Sequence, residues 1–186
     1  MTTEEGKTLY TLIIFSENVA GLLNEITSVF TRRQINIESL NVSASSIEGL
    51  HRYTITCWSD ECTIKKVNKQ IEKKIGVVRS NFFTSTEIYI QEVALFKLST
   101  PKILEHGEIS RLIRLHAGKI VEVNPTYAIV TIEGMTNEIL SLFHQLMEWD
   151  CVLQYVRSGA IAITKDTREL LDEYLVERKK RFLASK

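Results

Sequence analysis

Two asparagines and a glycine are the residues of this sequence best suited to hold a small molecule. Asn18 and Gly21 follow the apolar run Leu9 to Phe15 and precede a helical pattern that opens at Leu22. A strand-to-helix turn brings free backbone N–H groups and the positive end of the helix dipole to one spot, where a carboxylate can bind. Gly21 removes a side chain where a ligand would approach, and the Asn18 amide both donates and accepts, which suits a ligand carrying a carboxylate and an ammonium. Asn36, at the start of the next strand pattern, offers a second such amide. An amino acid fits this chemistry. The same residues also fit a plain helix start, with Asn18 as the N-cap and Gly21 relieving crowding, and residue chemistry leaves both readings open.

No catalytic or metal-binding set competes with that turn. His51, His106, His116 and His144 have no ligand-like spacing, and Cys57 and Cys62 lack the second pair that a four-ligand zinc site requires. A phosphate-handling enzyme of similar element order would place an arginine in the first strand-to-helix loop, and Ser16 to Ala20 contains none. Catalytic residues and bound metals are therefore expected to be none.

The elements that position the turn follow from periodicity. Leu9 to Phe15 reads as a buried strand ended by Ser16-Glu17-Asn18, and Leu22, Leu23, Ile26, Val29 and Phe30 mark one face of a helix to about Arg33. Ile35 to Val42 and Tyr53 to Trp58 read as a hairpin across the turn-forming stretch Ser43 to Gly49. Ile64, Val67, Ile71 and Ile75 mark a second helix over Glu61 to Ile75, stopped at Gly76, and Val77 to Thr84 returns to strand. The order β-α-β-β-α-β is ferredoxin-like.

The second half repeats the order. Val93 to Leu98 is a strand, Ile109 to His116 a helix stopped at Gly118, and Ile120 to Val123 with Tyr127 to Glu133 a hairpin around Asn124-Pro125-Thr126. A helix over Ile139 to Met147, capped by Thr136 or Asn137, precedes the strands Val152 to Val156 and Ala160 to Thr164. Sliding the sequence by 83 residues sets Leu12 on Leu95, Ile13 on Phe96, Ile26 on Ile109, Val29 on Leu112, Phe30 on Ile113 and Ile37 on Ile120. Asn18, Gly21 and Asn36 fall on Pro101, Leu104 and Lys119, so the scaffold repeats while the first turn does not. A further amphipathic helix is predicted over Thr167 to Lys180, with Leu170, Leu171, Tyr174, Leu175 and Arg178 on one stripe.

Composition narrows the function classes. The 186 residues carry 23 Lys plus Arg against 23 Asp plus Glu, for a net charge of zero, and 44% are apolar. That balance excludes a surface built to displace counterions from nucleic acid, and no apolar run reaches the ~20 residues of a membrane helix. The start, Met1 to Gly6, lacks the pattern of a signal peptide, and three cysteines fit a reducing compartment; the cytoplasm is the expected location.

The stretches Glu-Asn-Val-Ala-Gly-Leu-Leu (Glu17 to Leu23) and Asn-Ile-Glu-Ser-Leu (Asn36 to Leu40) resemble the ACT domain of the regulatory, or small, subunit of acetolactate synthase. Glu92 to Lys97, Lys119 to Val123 and Val156 to Gly159 are similar to that family's C-terminal domain. The resemblance implies an α+β fold of two tandem ferredoxin-like βαββαβ domains plus a C-terminal helix. It divides the chain into an ACT domain (8–86), which binds effector and dimerises, a C-terminal small-subunit domain (90–165), and a helix and tail (166–186).

It further implies a non-catalytic chain with no cofactor of its own, paired with a large subunit that carries thiamine diphosphate, Mg2+ and FAD. Two ACT domains would join into a wider sheet, and a branched-chain amino acid, typically valine, would bind between them as feedback inhibitor. The implied effector contacts are Asn18, Gly21 and Leu22 of one chain with Asn36 and Ile37 of its dimer mate. A free-standing two-domain amino-acid sensor without an enzyme partner is the alternative.

Overall fold

The computed structural model describes residues 6–167, 170–171 and 175–176. The chain divides into two compact units, one formed by residues up to Tyr89 together with those from Ala162 onward, the other by Ile90–Ile161.

The first unit runs β1 (Thr8–Glu17), α1 (Leu22–Thr31), β2 (Ile37–Ala44), β3 (Leu50–Ser59), α2 (Glu61–Glu72) and β4 (Val77–Phe83). Its sheet has the order β2-β3-β1-β4, with every neighbouring pair antiparallel. β1 is central and buried on both faces, which explains its nearly continuous apolar run. Tyr10, Leu12 and Ile14 face a core shared with Ile26, Val29 and Phe30 of α1 and with Ile64, Val67 and Ile71 of α2. On its other face Thr11, Ile13 and Phe15 are also buried. α2 begins at an N-cap, Asp60, whose carboxylate accepts the N–H of Thr63 at 2.8 Å.

The second unit holds most of β5 (Ile88–Ser99), then α3 (Thr100–Glu105), α4 (Gly107–Leu115), β6 (Lys119–Val123), β7 (Tyr127–Gly134), α5 (Thr136–Glu148) and β8 (Val152–Arg157), with strand order β6-β7-β5-β8. β9 (Ile161–Thr164) also pairs with β5. Ala94, Phe96 and Leu98 form a core with Ile109 and Ile113 of α4 and Ile139, Leu142 and Leu146 of α5. Both units thus have the ferredoxin-like order, and the fold is α+β.

The structure corrects the internal match in its strands. Ile26 and Ile109, and Phe30 and Ile113, are all buried, so an offset of 83 holds for the helices. Leu12, however, is fully buried while Leu95 is 45% exposed. The ladders pair Leu12 with Ile55 and Phe82, and Phe96 with Val130 and Tyr155, which makes Phe96 the counterpart of Leu12. A one-residue slip moves every strand side chain to the other face.

Local departures have physical causes. β5 begins at Ile88 rather than Val93, and α3 is a short extra helix opened by Pro101 near its start. The N-cap of α5 is Met135, not Thr136 or Asn137; the Glu138 carboxylate accepts the Met135 N–H at 2.9 Å. Thr136 instead donates its hydroxyl to Glu92 at 2.7 Å, and Arg157 donates to the other oxygen of Glu92 at 3.0 Å. Glu92 is 2% exposed, and a buried carboxylate needs such partners. Of the helix predicted over Thr167 to Lys180, Thr167, Leu170, Leu171, Leu175 and Val176 are described; Tyr174 and Arg178 lie outside the described residues. No helix among the described residues is long and apolar enough to cross a membrane.

Candidate functional site

The turn between β1 and α1 is held open from beneath. The N–H of Glu17 donates to the carbonyl of Gly76 at 2.8 Å, and the N–H of Asn18 to that of Gly49 at 3.2 Å. Two loops from elsewhere in the sheet therefore fix where β1 ends. Gly21 is the helix N-cap, at φ +90°, a left-handed conformation that glycine adopts without strain. A Cβ on Gly21 would have no heavy atom within 4 Å, so the space above it is free for a ligand.

Asn18 does not cap the helix. It lies outside the first turn, is exposed, and its amide has no hydrogen-bond partner among the described residues. Leu22 donates to Val19 and Glu25 to Gly21, while the N–H groups of Leu23 and Asn24 find no acceptor among the described residues. Leu22 turns inward and is buried against the turn at Gly76, so it shapes the floor rather than the opening. The turn offers backbone donors, an amide that can accept an ammonium, and the positive end of a ten-residue helix.

Asn36 and Ile37 are elsewhere. Ile37 pairs with Cys57, which pairs with Tyr10, so Asn36 stands level with the start of β1 whereas Asn18 follows its end. Tyr10 and Asn18 are eight residues apart along the chain, about 26 Å at ~3.3 Å per residue. The structure brings Asn18, Gly21 and Leu22 together in one chain, and Asn36 and Ile37 at the far end of the same sheet. Asn36 there borders a cavity of about 360 Å3, with Arg33, Glu38, Trp58 and Asp60.

The equivalent turn of the second unit is filled. β5 passes directly into α3, and Thr100 at its start donates its hydroxyl to the carbonyl of Asn124 at 2.8 Å. The first turn alone has the open glycine start. Sequence reasoning did not single out Gly49 as a brace, although a glycine at the end of a hairpin loop marks a backbone that can approach another closely.

Other reactive groups are scattered. Burial, with the Glu38 carboxylate adding to it, pushes the Cys57 thiol up to about 12, which removes it as a nucleophile or ligand. Burial also raises Cys151. No group of three or more His, Cys, Asp or Glu side chains among the described residues is arranged to hold a metal ion.

Comparison with known proteins decides the family. A model of the small subunit of acetolactate synthase matches residues 91–166, and a model of the ACT domain of such subunits matches residues 12–79. The acetolactate synthase small subunit of Bacillus subtilis is 30% identical over 154 residues, which cover 82% of this chain and 88% of that one. The chain belongs to the acetolactate synthase small-subunit family. The small subunit of Haemophilus influenzae is 28% identical over 160 residues, covering 86% of this chain and 98% of its own. The crystal structure of the small subunit from Thermotoga maritima superposes with a TM-score of 0.77 at 26% identity, covering 86% of this chain and 99% of that one. As a member of the small-subunit family the chain is regulatory, acts in branched-chain amino-acid biosynthesis, and is not itself catalytic.

Proposed function

We infer that this chain activates a cytoplasmic catalytic subunit of acetolactate synthase and makes it sensitive to feedback by a branched-chain amino acid, with valine as the effector. The catalytic subunit would carry the thiamine diphosphate, Mg2+ and FAD. Residues 8–86 would bind the effector and dimerise, and residues 90–165 would engage the catalytic subunit. The observation that carries the effector reading is the open β1–α1 turn, with Gly21 unobstructed and the Asn18 amide unengaged, present in the first unit and filled in the second.

A second copy of the chain supplies what the turn lacks. β2 is an edge strand, and it runs parallel to β1 because both are antiparallel to β3. Its end, Ala44, is therefore level with Ser16 across His51. If two β2 edges pair antiparallel about a two-fold axis, the start of one lies beside the end of the other, and Asn36 and Ile37 arrive at the end of the sheet where the partner's turn opens. The register is regular from Ser39 to Ala44, leaving six residues for such pairing. The corresponding edge β6 has its irregularity between Ile120 and Glu122, near the middle of a five-residue strand, which blunts it.

An effector shared by two chains couples naturally to a change in their arrangement, because rotating the interface alters contacts on both sides of the ligand. Coupling of ~1–3 kcal/mol is typical of such switches. The test is acetolactate formation by the reconstituted large and small subunits over a valine titration. Asn18→Ala and Gly21→Asp are expected to abolish inhibition and leave activation intact. Full valine sensitivity in both variants would overturn the placement of the site, and absence of any activation by the wild-type chain would favour a free-standing sensor.

A further inference from the structure

The loop between β2 and β3 is organised by one side chain and delivers one carbonyl. The Ser45 hydroxyl donates to the carbonyl of Ile47 at 3.0 Å and accepts the Ile47 N–H at 3.1 Å, closing a tight turn in the first half of the loop. The N–H of Leu50 donates to the same Ile47 carbonyl at 3.1 Å, and the N–H of Ser45 to the carbonyl of Leu50 at 2.9 Å, so both ends of the loop are tied. Gly49 stands between them at φ +81°, a conformation most other residues reach only with strain. Its carbonyl accepts the Asn18 N–H at 3.2 Å.

That bond reaches the first residue past β1. Fixing the Asn18 N–H fixes the peptide plane from which the Asn18 side chain leaves, just ahead of the Gly21 start of α1. The base of the loop lies level with the end of β1: Leu50, 4% exposed, pairs with Glu17, and Ala44, the last residue of β2, shares the partner His51 with Ser16. Ser45 follows directly on β2, which is an edge strand. A contiguous chain of hydrogen-bonded groups therefore runs from that edge through Ser45, Ile47 and Gly49 to Asn18, all within the first unit. The second unit braces its filled turn twice from the corresponding hairpin, by the N–H of Thr100 to Thr126 at 3.3 Å and by its hydroxyl to Asn124 at 2.8 Å. On this side, among the described residues, the first turn hangs on the single bond from Gly49.

We propose that Ser45 and Gly49 are positioning residues for the effector turn: through the β2–β3 loop they set the place of Asn18, and they carry a shift of the β2 edge to it. This rests on the reading that the β1–α1 turn takes the effector. Neither residue touches the ligand. Because the loop joins the edge strand to the turn, effector binding and the arrangement of that edge become linked, and each biases the other.

The test uses the full chain, free and reconstituted with the catalytic subunit, as the wild type, Ser45→Ala, Ser45→Thr, Gly49→Ala and Gly49→Asn. Ser45→Ala and Gly49→Ala are expected to raise the valine concentration for half-inhibition roughly fivefold, the effect of loosening one hydrogen bond, with activation in the absence of valine unchanged. Ser45→Thr keeps the hydroxyl and Gly49→Asn tolerates the left-handed conformation, so both are expected to restore the wild-type response. Amide hydrogen exchange at Asn18 in the free chain is expected to quicken severalfold in the two alanine variants and in neither rescue variant, a readout that needs no effector. A wild type that valine does not inhibit would overturn the effector reading and this inference with it. A sensitive wild type whose alanine variants respond to valine as it does, or exchange at Asn18 that stays unchanged in them, would overturn the inference alone.

Discussion

The carbonyl of Gly76, in the turn after α2, accepts the N–H of Glu17, the last residue of β1, at 2.8 Å. Gly76 has φ +86°, and a Cβ on it would stand 3.2 Å from Cδ2 of Leu22, the first residue of α1. One residue therefore fixes both the end of the strand and the start of the helix that bound the proposed effector turn. Gly76→Ala meets the left-handed penalty of about 1–2 kcal/mol and a tight contact with Leu22. Urea unfolding should show a loss of that size, and valine affinity should fall severalfold because the first turn of α1 shifts.

The triad of Glu92, Arg157 and Thr136 makes a different prediction. The Glu92 side chain is 3% exposed and that of Arg157 26%. Removing one partner of a fully buried pair costs ~3–5 kcal/mol, and the partial exposure of Arg157 lowers that expectation to about 2–3. Arg157→Met should destabilise the chain by that amount in denaturant unfolding. Glu92→Gln, which keeps an acceptor for Thr136 and leaves no buried charge, should cost less than Arg157→Met.

Acid stability can be traced at the start of α2. Hydrogen bonds from the Thr63 side chain and N–H hold the Asp60 carboxyl below its ordinary range. A depressed folded pKa contributes stability above the unfolded value of ~3.9, and this is lost as pH falls through the folded value. Asp60→Ala should lower Tm at pH 7, and the difference from the wild type should shrink below about pH 4 as the wild-type carboxylate protonates. Thermal unfolding of both proteins across that range checks it.

The β2 edge carries the proposed dimer. Asn41 and Ser43 pair with Thr54 and Arg52, on the sheet face away from the helices. Asn41→Lys with Ser43→Lys would set lysines against lysines across an antiparallel β2 pair, an arrangement that opposes association. Sedimentation should show a monomer, and valine binding should disappear with the dimer although no proposed contact has been changed.

Most of this architecture was legible because it rests on local pattern. The buried faces of α1 and α2 follow Ile26, Phe30, Ile64 and Ile71 at helical spacing, and all of them are buried. The strand register of the repeat was not legible. Leu12 and Leu95 are alike in type, and only the pairing partners Ile55 and Val130 show which face each occupies. The α5 cap was misread for a related reason. Thr136 is a good capping residue in isolation, but the buried Glu92, 44 residues earlier, takes its hydroxyl. The site was half legible: Asn18 and Gly21 share one turn, whereas the distance to Asn36 depends on how β2, β3 and β1 align.

That distance is the basis of the most direct measurement. In the proposed two-fold dimer each effector site would take Asn18 from one chain and Asn36 from the other, so a mixed dimer of Asn18→Ala and Asn36→Ala chains would have one site lacking both and one intact. Each variant alone should bind no valine in calorimetry. Co-refolded in equal amounts, the two should recover about a quarter of the wild-type sites, since half of the dimers are mixed and each mixed dimer has one working site. Valine binding that stays absent on mixing, or that persists in either variant alone, would contradict a site shared between two copies.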